Sequence, residues 1–234
     1  MKETSKLKPA VIHIDFERAM HNAITSCFPD TEIDCCRFYL EQNWWRKIQS
    51  LGLSKVYMDK SSEEGKWLTK FYGLSFLPPE DVEDSFIEDI MSDAPNNDKC
   101  LQFADYVLAG YITDSSTFPL IMWAAVPDLT SKRTNNGPES FHSKLNAHFY
   151  ASHPNIFLFA DVIKKMQATT YIKIRAIFAP RRCEMEKHQF AVAQFECYSK
   201  GEKTRSDFIK CLGYKFGAVI YLKTLIWSTF YVLT

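Results

Sequence analysis

The hydrophobic pattern at the start of the chain predicts a parallel βαβ unit. A short β-branched run at residues 10–14 ends at Asp15, and apolar residues then recur at helical spacing as far as Cys27. Residues 32–36 form a second strand-like run. Two strands joined through one helix pair in parallel with a right-handed crossover. We therefore expect Asp15 at the carboxyl end of a parallel strand, where open α/β sheets carry their chemistry.

The rest of the chain is predicted to be mostly helical. Apolar side chains at helical spacing favour helices at about residues 38–51, 79–94, 101–112, 138–149, 155–177, 184–198 and 206–212. Pro79 can occupy the first turn of its helix, since proline lacks only an amide that has no partner there. The apolar end of the chain is interrupted by Lys223, which favours a buried element or a tail over a membrane span.

The composition is that of a soluble globular protein, with 46% hydrophobic and 24% charged residues. It excludes a disordered, collagen-like or multi-span membrane protein. The 28 basic and 28 acidic residues cancel, which argues against a uniformly basic nucleic-acid binder. However, residues 1–130 contain 12 basic and 21 acidic side chains, and residues 131–234 contain 16 and 7. This asymmetry predicts that the second half faces polyanions.

Seven cysteines without a CxxC pair, behind a polar leader, predict reduced thiols in the nucleus or cytoplasm and no secretion. One alternative is a zinc cluster of Cys183, His188, Cys197 and Cys211, whose spacing is irregular. Between Glu80 and Asp98 the chain has eight acidic residues and no basic one. A solvated face is the simpler interpretation of this acidic run, and a site for a basic partner is the alternative.

Two carboxylates are candidate ligands for a divalent metal. Asp15 ends a strand, and Glu139 lies in the first turn of a helix behind an asparagine-rich loop. Hard oxygen ligands of this kind hold Mg²⁺ in phosphoryl-transfer sites. The simpler interpretations are a turn cap for Asp15 and an interaction with the helix dipole for Glu139. His142 follows Glu139 by one turn and could orient that carboxylate, although a lone histidine on a helix is usually a surface residue.

Several blocks, in order along the chain, resemble Mutator-like element (MULE) transposases. The segment IHIDFERA at residues 12–19 is similar to the motif around the second catalytic aspartate of that family. Further similar blocks are CRFYL at 36–40, WRKIQ at 45–49, the segment 74–84 with its FLPPE, RTNNGPESFH at 133–142 and TRSDFI at 204–209. The resemblance covers about residues 10–175 and extends toward Phe216.

The resemblance implies an α/β but mostly helical chain, with an incomplete ribonuclease-H-like (DDE transposase) core and an all-α insertion. The implied domains are a polar leader (1–9), a partial core with the second aspartate (10–51), a helical insertion (52–130), a return to the core with the third acid and a long helix (131–178), C-terminal helices (179–216) and an apolar tail (217–234).

By the same resemblance, Asp15 and Glu139 are the second and third catalytic acids and the metal ligands. Active relatives hold two Mg²⁺ ions (or Mn²⁺) for strand cleavage and transfer at the ends of the transposon. The resemblance also implies supporting residues and phosphate contacts: Cys36, Asn136 and His142 for support, and Lys132, Arg133 and Lys144 for DNA.

Two departures from the family bear on activity. The first catalytic aspartate is expected well upstream of Asp15, where the only acid in this chain is Glu3. Tyr39 stands where the family has a histidine, three residues after Cys36, and tyrosine does not replace imidazole as a ligand or proton carrier near neutral pH. We therefore expect a transposase-derived protein, built on a truncated domain, that is inactive alone.

The expected partners follow from this interpretation. They are double-stranded DNA of transposon ends and a protein partner or second copy, with no membrane. One alternative is an active metal-dependent DNA transposase, if an upstream segment supplies the first aspartate. The other alternative is a helical protein-interaction module that uses the acidic insertion.

Overall fold

The computed structural model describes residues 8–128, 145–149, 154–175 and 182–218. The chain divides into two compact units. Unit 1 consists of Met1–Phe38 and Pro127–Ala193, and unit 2 of Tyr39–Val126 and Gln194–Thr234. In the described ranges the chain is mostly helical and has one two-stranded parallel sheet. The mostly helical class with a small parallel sheet is thus confirmed, and the ribonuclease-H-like core stays a prediction.

The described strands are β1 (Val11–Ile14) and β2 (Glu32–Cys35). The described helices are α1 (Arg18–Cys27), α2 (Arg37–Ser50), α3 (Ser54–Met58), α4 (Glu63–Gly73), α5 (Pro79–Ser85), α6 (Asp98–Val107), α7 (Leu120–Trp123), α8 (Ile156–Arg175), α9 (Arg182–Ser199) and α10 (Arg205–Phe216). Short 3₁₀ turns lie at Leu74–Phe76 and Met91–Asp93, and π-helical segments at Phe86–Ile90 and Leu108–Ile112. None of the helices in the described ranges is both long and apolar enough to cross a membrane.

The βαβ part of unit 1 has the predicted topology. β1 and β2 are parallel, in a register that pairs Val11 with Glu32 and Ile14 with Cys35. α1 joins them and buries His21 and Ile24. This helix ends before Pro29 because a proline disfavours helical geometry in the residue that precedes it.

α8 is the longest described helix of unit 1, with 20 residues. Its Val162 is buried, and Phe159 stacks on Phe149 with ring centroids 6.0 Å apart. These contacts pack one side of α8 against its own unit.

α4 is the central helix of unit 2 and packs against α10. It begins at a Ser62 cap, whose hydroxyl oxygen accepts the amide of Gly65 at 3.0 Å. Its residues from Trp67 to Gly73 are all buried. At the crossing with α10 the backbones touch: a Cβ on Gly73 would lie 2.0 Å from the carbonyl oxygen of Ile209.

An aromatic cluster fills the other side of this unit. Trp44 of α2 is completely buried, and its ring makes edge contacts with Tyr72, Tyr111 and Trp123 at centroid distances of 5.7–5.8 Å. Such edge-to-face pairs add to the stabilisation from burial alone. Trp44 is therefore a core residue.

The predicted helix over residues 79–94 is present but changes its winding. α5 continues as the π-helical segment Phe86–Ile90 and the 3₁₀ turn Met91–Asp93, with helical backbone geometry at the junctions. Trp67 Nε1 donates to the carbonyl oxygen of Ile90 at 2.8 Å, and Lys70 Nζ to that of Asp89 at 3.1 Å. These polar contacts fix α4 to the π-helical segment.

Candidate functional site

Asp15 is the first residue after β1, at the carboxyl end of the strand. Its Oδ1 accepts the backbone N–H of Glu17 at 3.2 Å, which is a turn-capping contact. The simpler interpretation of this residue, a cap, is thus present in the structure. The side chain remains partly exposed, so the contact does not remove the carboxylate from solvent.

His21 of α1 forms a hydrogen bond with the backbone of Asp15. Its Nε2 lies 2.8 Å from the carbonyl oxygen of Asp15. Because a carbonyl can only accept, Nε2 carries the proton and donates it. The same nitrogen lies 3.9 Å from Sγ of Cys35, and both side chains are buried. The imidazole therefore joins α1 to the end of β1.

A second histidine forms a pair on the sheet itself. His13 and Asp34 are direct partners in the β1–β2 register, and Nδ1 of His13 lies 3.0 Å from Oδ2 of Asp34. The carboxylate of Asp34 is buried, whereas His13 is half exposed. Since neighbouring side chains alternate along a strand, this pair lies on the opposite face from Ile14 and Cys35.

Cys36 is the residue after β2, in the position that corresponds to Asp15 after β1. Its backbone N–H donates to the carbonyl oxygen of Ile14 at 2.9 Å, and it is 2% exposed. The structure thus places the predicted supporting residue Cys36 and Asp15 at the carboxyl ends of two paired strands. His13, His21 and Asp34 were not among the predicted site residues. The sequence did contain a signal for each of them. His13 lies two residues before Asp15, and His21 lies on the inner side of α1. Asp34 lies opposite His13 when the two strands pair in parallel.

The other predicted site residues lie outside the described ranges. They are Lys132, Arg133, Asn136, Glu139, His142 and Lys144. The proximity of Asp15 to Glu139 therefore stays a prediction.

A magnesium site does not fit the described surroundings of Asp15. Within the described ranges no group of three or more His, Cys, Asp or Glu residues is placed to hold a metal ion. Among the described residues, Asp15 is in contact with the amide of Glu17 and the imidazole of His21. Mg²⁺ prefers several oxygen ligands, so the predicted Mg²⁺ or Mn²⁺ depends on residues beyond this set.

The zinc alternative likewise gains no support from the described side chains. Cys211 is a free thiol whose Sγ donates to Oε1 of Gln194 at 3.6 Å. The side chain of Cys183 lies outside the described part.

The acidic run is partly bound by basic side chains of unit 2. Arg205 Nε lies 2.5 Å from Oδ2 of Asp89, and its Nη2 lies 2.5 Å from Oε2 of Glu88. Burial lowers the pKa of Arg205, but the two carboxylates outweigh this effect and the net shift is upward. Lys70 Nζ also lies 2.6 Å from Oδ2 of Asp93. The run is therefore more than a solvated face, and part of its charge is already neutralised within the chain.

Tyr198 makes a further contact with this run. Its hydroxyl donates to Oδ2 of Asp81 at 3.0 Å. Burial and this hydrogen bond raise the pKa of Tyr198 to about 12.

No protein-family model, curated protein or solved structure matches the chain. The resemblance to Mutator-like transposases therefore stays a prediction from the sequence blocks alone.

Proposed function

We propose that this chain is a domain of the Mutator-like transposase type that binds duplex DNA and does not cleave it alone. One observation carries the proposal: a parallel βαβ unit has Asp15 directly after β1 and Cys36 directly after β2. This is the arrangement that the sequence blocks at 12–19 and 36–40 imply for the second catalytic acid and the residue that supports it.

The residues of the motif support the absence of cleavage. Two-metal strand cleavage requires carboxylates that share two dications, so that both the attacking and the leaving oxygen are stabilised. In the described ranges, the carboxylate of Asp15 accepts the amide of Glu17, and the imidazole of His21 is committed to the carbonyl oxygen of the same residue. Tyr39 stands where the family motif has an imidazole, so that ligand or proton carrier is missing from this chain.

The distribution of charge supports DNA binding. Residues 131–234 contain 16 basic and 7 acidic side chains; Lys132 and Lys144 flank the block that resembles the third-acid motif, and Arg133 begins it. Lysine and arginine bind duplex DNA by neutralising phosphates and releasing counterions, so the affinity decreases as salt increases. We therefore expect salt-dependent binding that requires these three residues.

Fluorescence anisotropy with a labelled duplex tests the binding over a salt series. The variant Lys132→Glu/Arg133→Glu/Lys144→Glu is expected to lose most of the affinity. Its slope of log K against log salt should be shallower by roughly 3, since each phosphate contact contributes about 0.9. The matched control, Arg46→Glu/Lys55→Glu/Lys99→Glu, reverses three exposed charges in the acidic half and should bind nearly as tightly as wild type. Equal losses in both variants contradict the proposal.

A cleavage assay tests the catalytic part of the proposal. The purified chain is incubated with labelled duplex DNA and Mg²⁺ or Mn²⁺, and we expect the DNA to stay intact. Cleavage that disappears in both Asp15→Asn and Glu139→Gln, but persists in the exposed control Asp30→Asn, would instead establish an active transposase. Asn at position 15 keeps the oxygen that caps Glu17, so the comparison isolates the charge.

A basic-partner function for the acidic insertion has less support. Of the eight acids between Glu80 and Asp98, four contact groups of the chain itself: Asp81, Glu88, Asp89 and Asp93. A basic partner would have to displace these contacts.

A further inference from the structure

α8 has apolar side chains on two opposite sides. One side contacts its own unit: Val162 is buried, and Phe159 stacks on Phe149. On the other side, Phe157 is 82% exposed and Ile172 is 69% exposed. A helix that is apolar on both sides is normally covered on both, and a large exposed apolar patch marks an interaction site.

The outer side of α8 has a defined composition. With about 100° of rotation per residue, positions 157, 160, 161, 164, 168, 171, 172 and 175 lie within about 60° of Phe157 and roughly opposite Met166. This outer face consists of Phe157, Ala160, Asp161, Lys164, Ala168, Tyr171, Ile172 and Arg175, all of them exposed. It therefore combines three large apolar residues, two alanines, one acidic residue and two basic residues.

The outer face is complementary to a second copy of itself in antiparallel orientation. A two-fold axis makes each contact occur twice, with residue i on residue j and j on i. In the register that places Asp161 opposite Lys164, the large Phe157 lies opposite the small Ala168. Two charge pairs and two contacts of a large side chain with a small one then form together within residues 156–169 of each helix, and Tyr171 and Ile172 lie beyond this overlap.

Other arrangements of the two helices lose these charge pairs. A parallel pair would place Asp161 against Asp161 and Lys164 against Lys164. An antiparallel pair shifted by four residues would place Lys164 against Lys165 and Phe157 against Ile172 in one direction, and Asp161 against Ala160 in the other. Only the unshifted register forms both Asp161–Lys164 pairs, so charge complementarity favours it.

We infer that α8 forms an antiparallel helix pair with α8 of a second copy of this chain, through Phe157 on Ala168 and Asp161 with Lys164. Asp161 also pairs with Lys165 of its own helix at 2.7 Å, an exposed contact that can persist in the pair. The dimer follows from the outer face alone and does not require the proposed DNA binding.

Sedimentation velocity on the full chain, without DNA, tests this inference over a range of concentrations. The wild-type mass should increase from one chain toward two, and Phe157→Asp should remain a monomer. The matched control is Ile121→Asp on α7, which replaces an aliphatic side chain that is 62% exposed in the other unit. This control should dimerise like wild type. A wild-type chain that stays monomeric at every concentration overturns the inference, and so does equal loss in both variants.

A charge exchange tests the register. Asp161→Lys and Lys164→Asp should each weaken the dimer by about tenfold, because each turns two exposed attractive pairs into repulsive ones. The double variant restores opposite charges at both contacts and should recover the wild-type affinity. Far-UV circular dichroism is recorded for all three, so that a loss of helix is not mistaken for a loss of pairing. A double variant as weak as the singles, with its helix intact, overturns the antiparallel register.

Discussion

At the residue scale, the backbone at Asp15 is fixed from two directions. The amide of Glu17 donates to its side chain, and the imidazole of His21 donates to its carbonyl oxygen. The position of Asp15 after a strand was predictable from the run of β-branched residues. The contact with His21 was not, because it depends on how α1 packs on the sheet, and the sequence spacing alone gives only the face on which His21 lies.

Replacing His21 by leucine should loosen this turn. Leucine is about as large and apolar but has no donor, so the carbonyl oxygen of Asp15 loses its partner in a partly buried place. A cost of about 1–3 kcal/mol is expected for that loss. The measurement is hydrogen exchange of the β1 and β2 amides, which should be faster in His21→Leu.

The control for this change is His21→Gln, which keeps an N–H donor at a similar reach. Exchange in this variant should lie between wild type and leucine. If glutamine and leucine accelerate exchange equally, packing rather than the hydrogen bond stabilises the turn.

At the element scale, the sequence predicted the strands and long helices better than α4. The runs that became β1, α1 and β2 each have one apolar side and a clear stop. The seven consecutive residues from Trp67 to Gly73 are all buried, including Thr69 and Lys70, so α4 has no solvent face there. The spacing of its apolar residues does not report the burial of these two polar side chains. Its partner α10 is more than 130 residues further along the chain, which local patterns do not report.

The crossing of α4 and α10 should tolerate no side chain at its two glycines. A Cβ would lie 2.0 Å from the carbonyl oxygen of Ile209 at Gly73, and 2.2 Å from that of Thr69 at Gly213. The helices would have to move apart, so Gly73→Ala and Gly213→Ala should each destabilise unit 2 by about 1–3 kcal/mol or more.

Urea unfolding followed by tryptophan fluorescence measures this cost, since all five tryptophans belong to the sequence ranges of unit 2. The control is Gly110→Ala, where a Cβ meets nothing within 4 Å. It should change the free energy of unfolding little. A Gly73→Ala variant as stable as this control contradicts the close crossing.

Arg205 should be the ion-pairing residue of unit 2 that matters most for stability. Its guanidinium contacts Asp89 and Glu88 together, which the single ammonium of lysine cannot do with the same geometry. Arg205→Lys should therefore cost about 1–2 kcal/mol by urea unfolding. The control Lys66→Ala removes an exposed pair with Glu63 and should cost less than about 1 kcal/mol. Equal costs for Arg205→Lys and Lys66→Ala would mean that the simultaneous contact of the guanidinium with Asp89 and Glu88 is unimportant.

At the scale of the whole molecule, the fold redistributes the charge that the sequence separates. Residues 1–130 have a net charge of −9 and residues 131–234 one of +9. The compact units mix these halves: unit 1 has 15 basic and 11 acidic residues, and unit 2 has 13 and 17. The reason is visible in Arg205, which comes from the basic half and binds Asp89 of the acidic half. A count along the sequence cannot detect this pairing because the two residues are 116 positions apart.

The buried thiol of Cys100 should help to set the pH above which the fold loses stability. Burial, and next the charge of Glu64, raise the pKa of Cys100 from 9.0 to about 11. In the unfolded chain this thiol ionises at its ordinary, lower pKa. Between the two pKa values, ionisation therefore stabilises the unfolded state but not the folded state. The contribution of Cys100 is therefore complete below about pH 9 and is lost as the pH rises to about 11. At about 1.4 kcal/mol per pKa unit, the loss is roughly 2–3 kcal/mol.

Urea unfolding at pH 8 and at pH 10.5 measures that loss through tryptophan fluorescence. Other groups, including Tyr198 with its pKa of about 12, lower the stability in the same direction, so wild type alone does not isolate the thiol. Cys100→Ala should be less stable at pH 8, because it leaves a cavity, but should lose less free energy between the two pH values. Cys27→Ala removes an exposed thiol and should keep the wild-type difference. If Cys100→Ala and wild type lose the same free energy, the buried thiol does not control the alkaline limit, and the tyrosines of unit 2 must account for it.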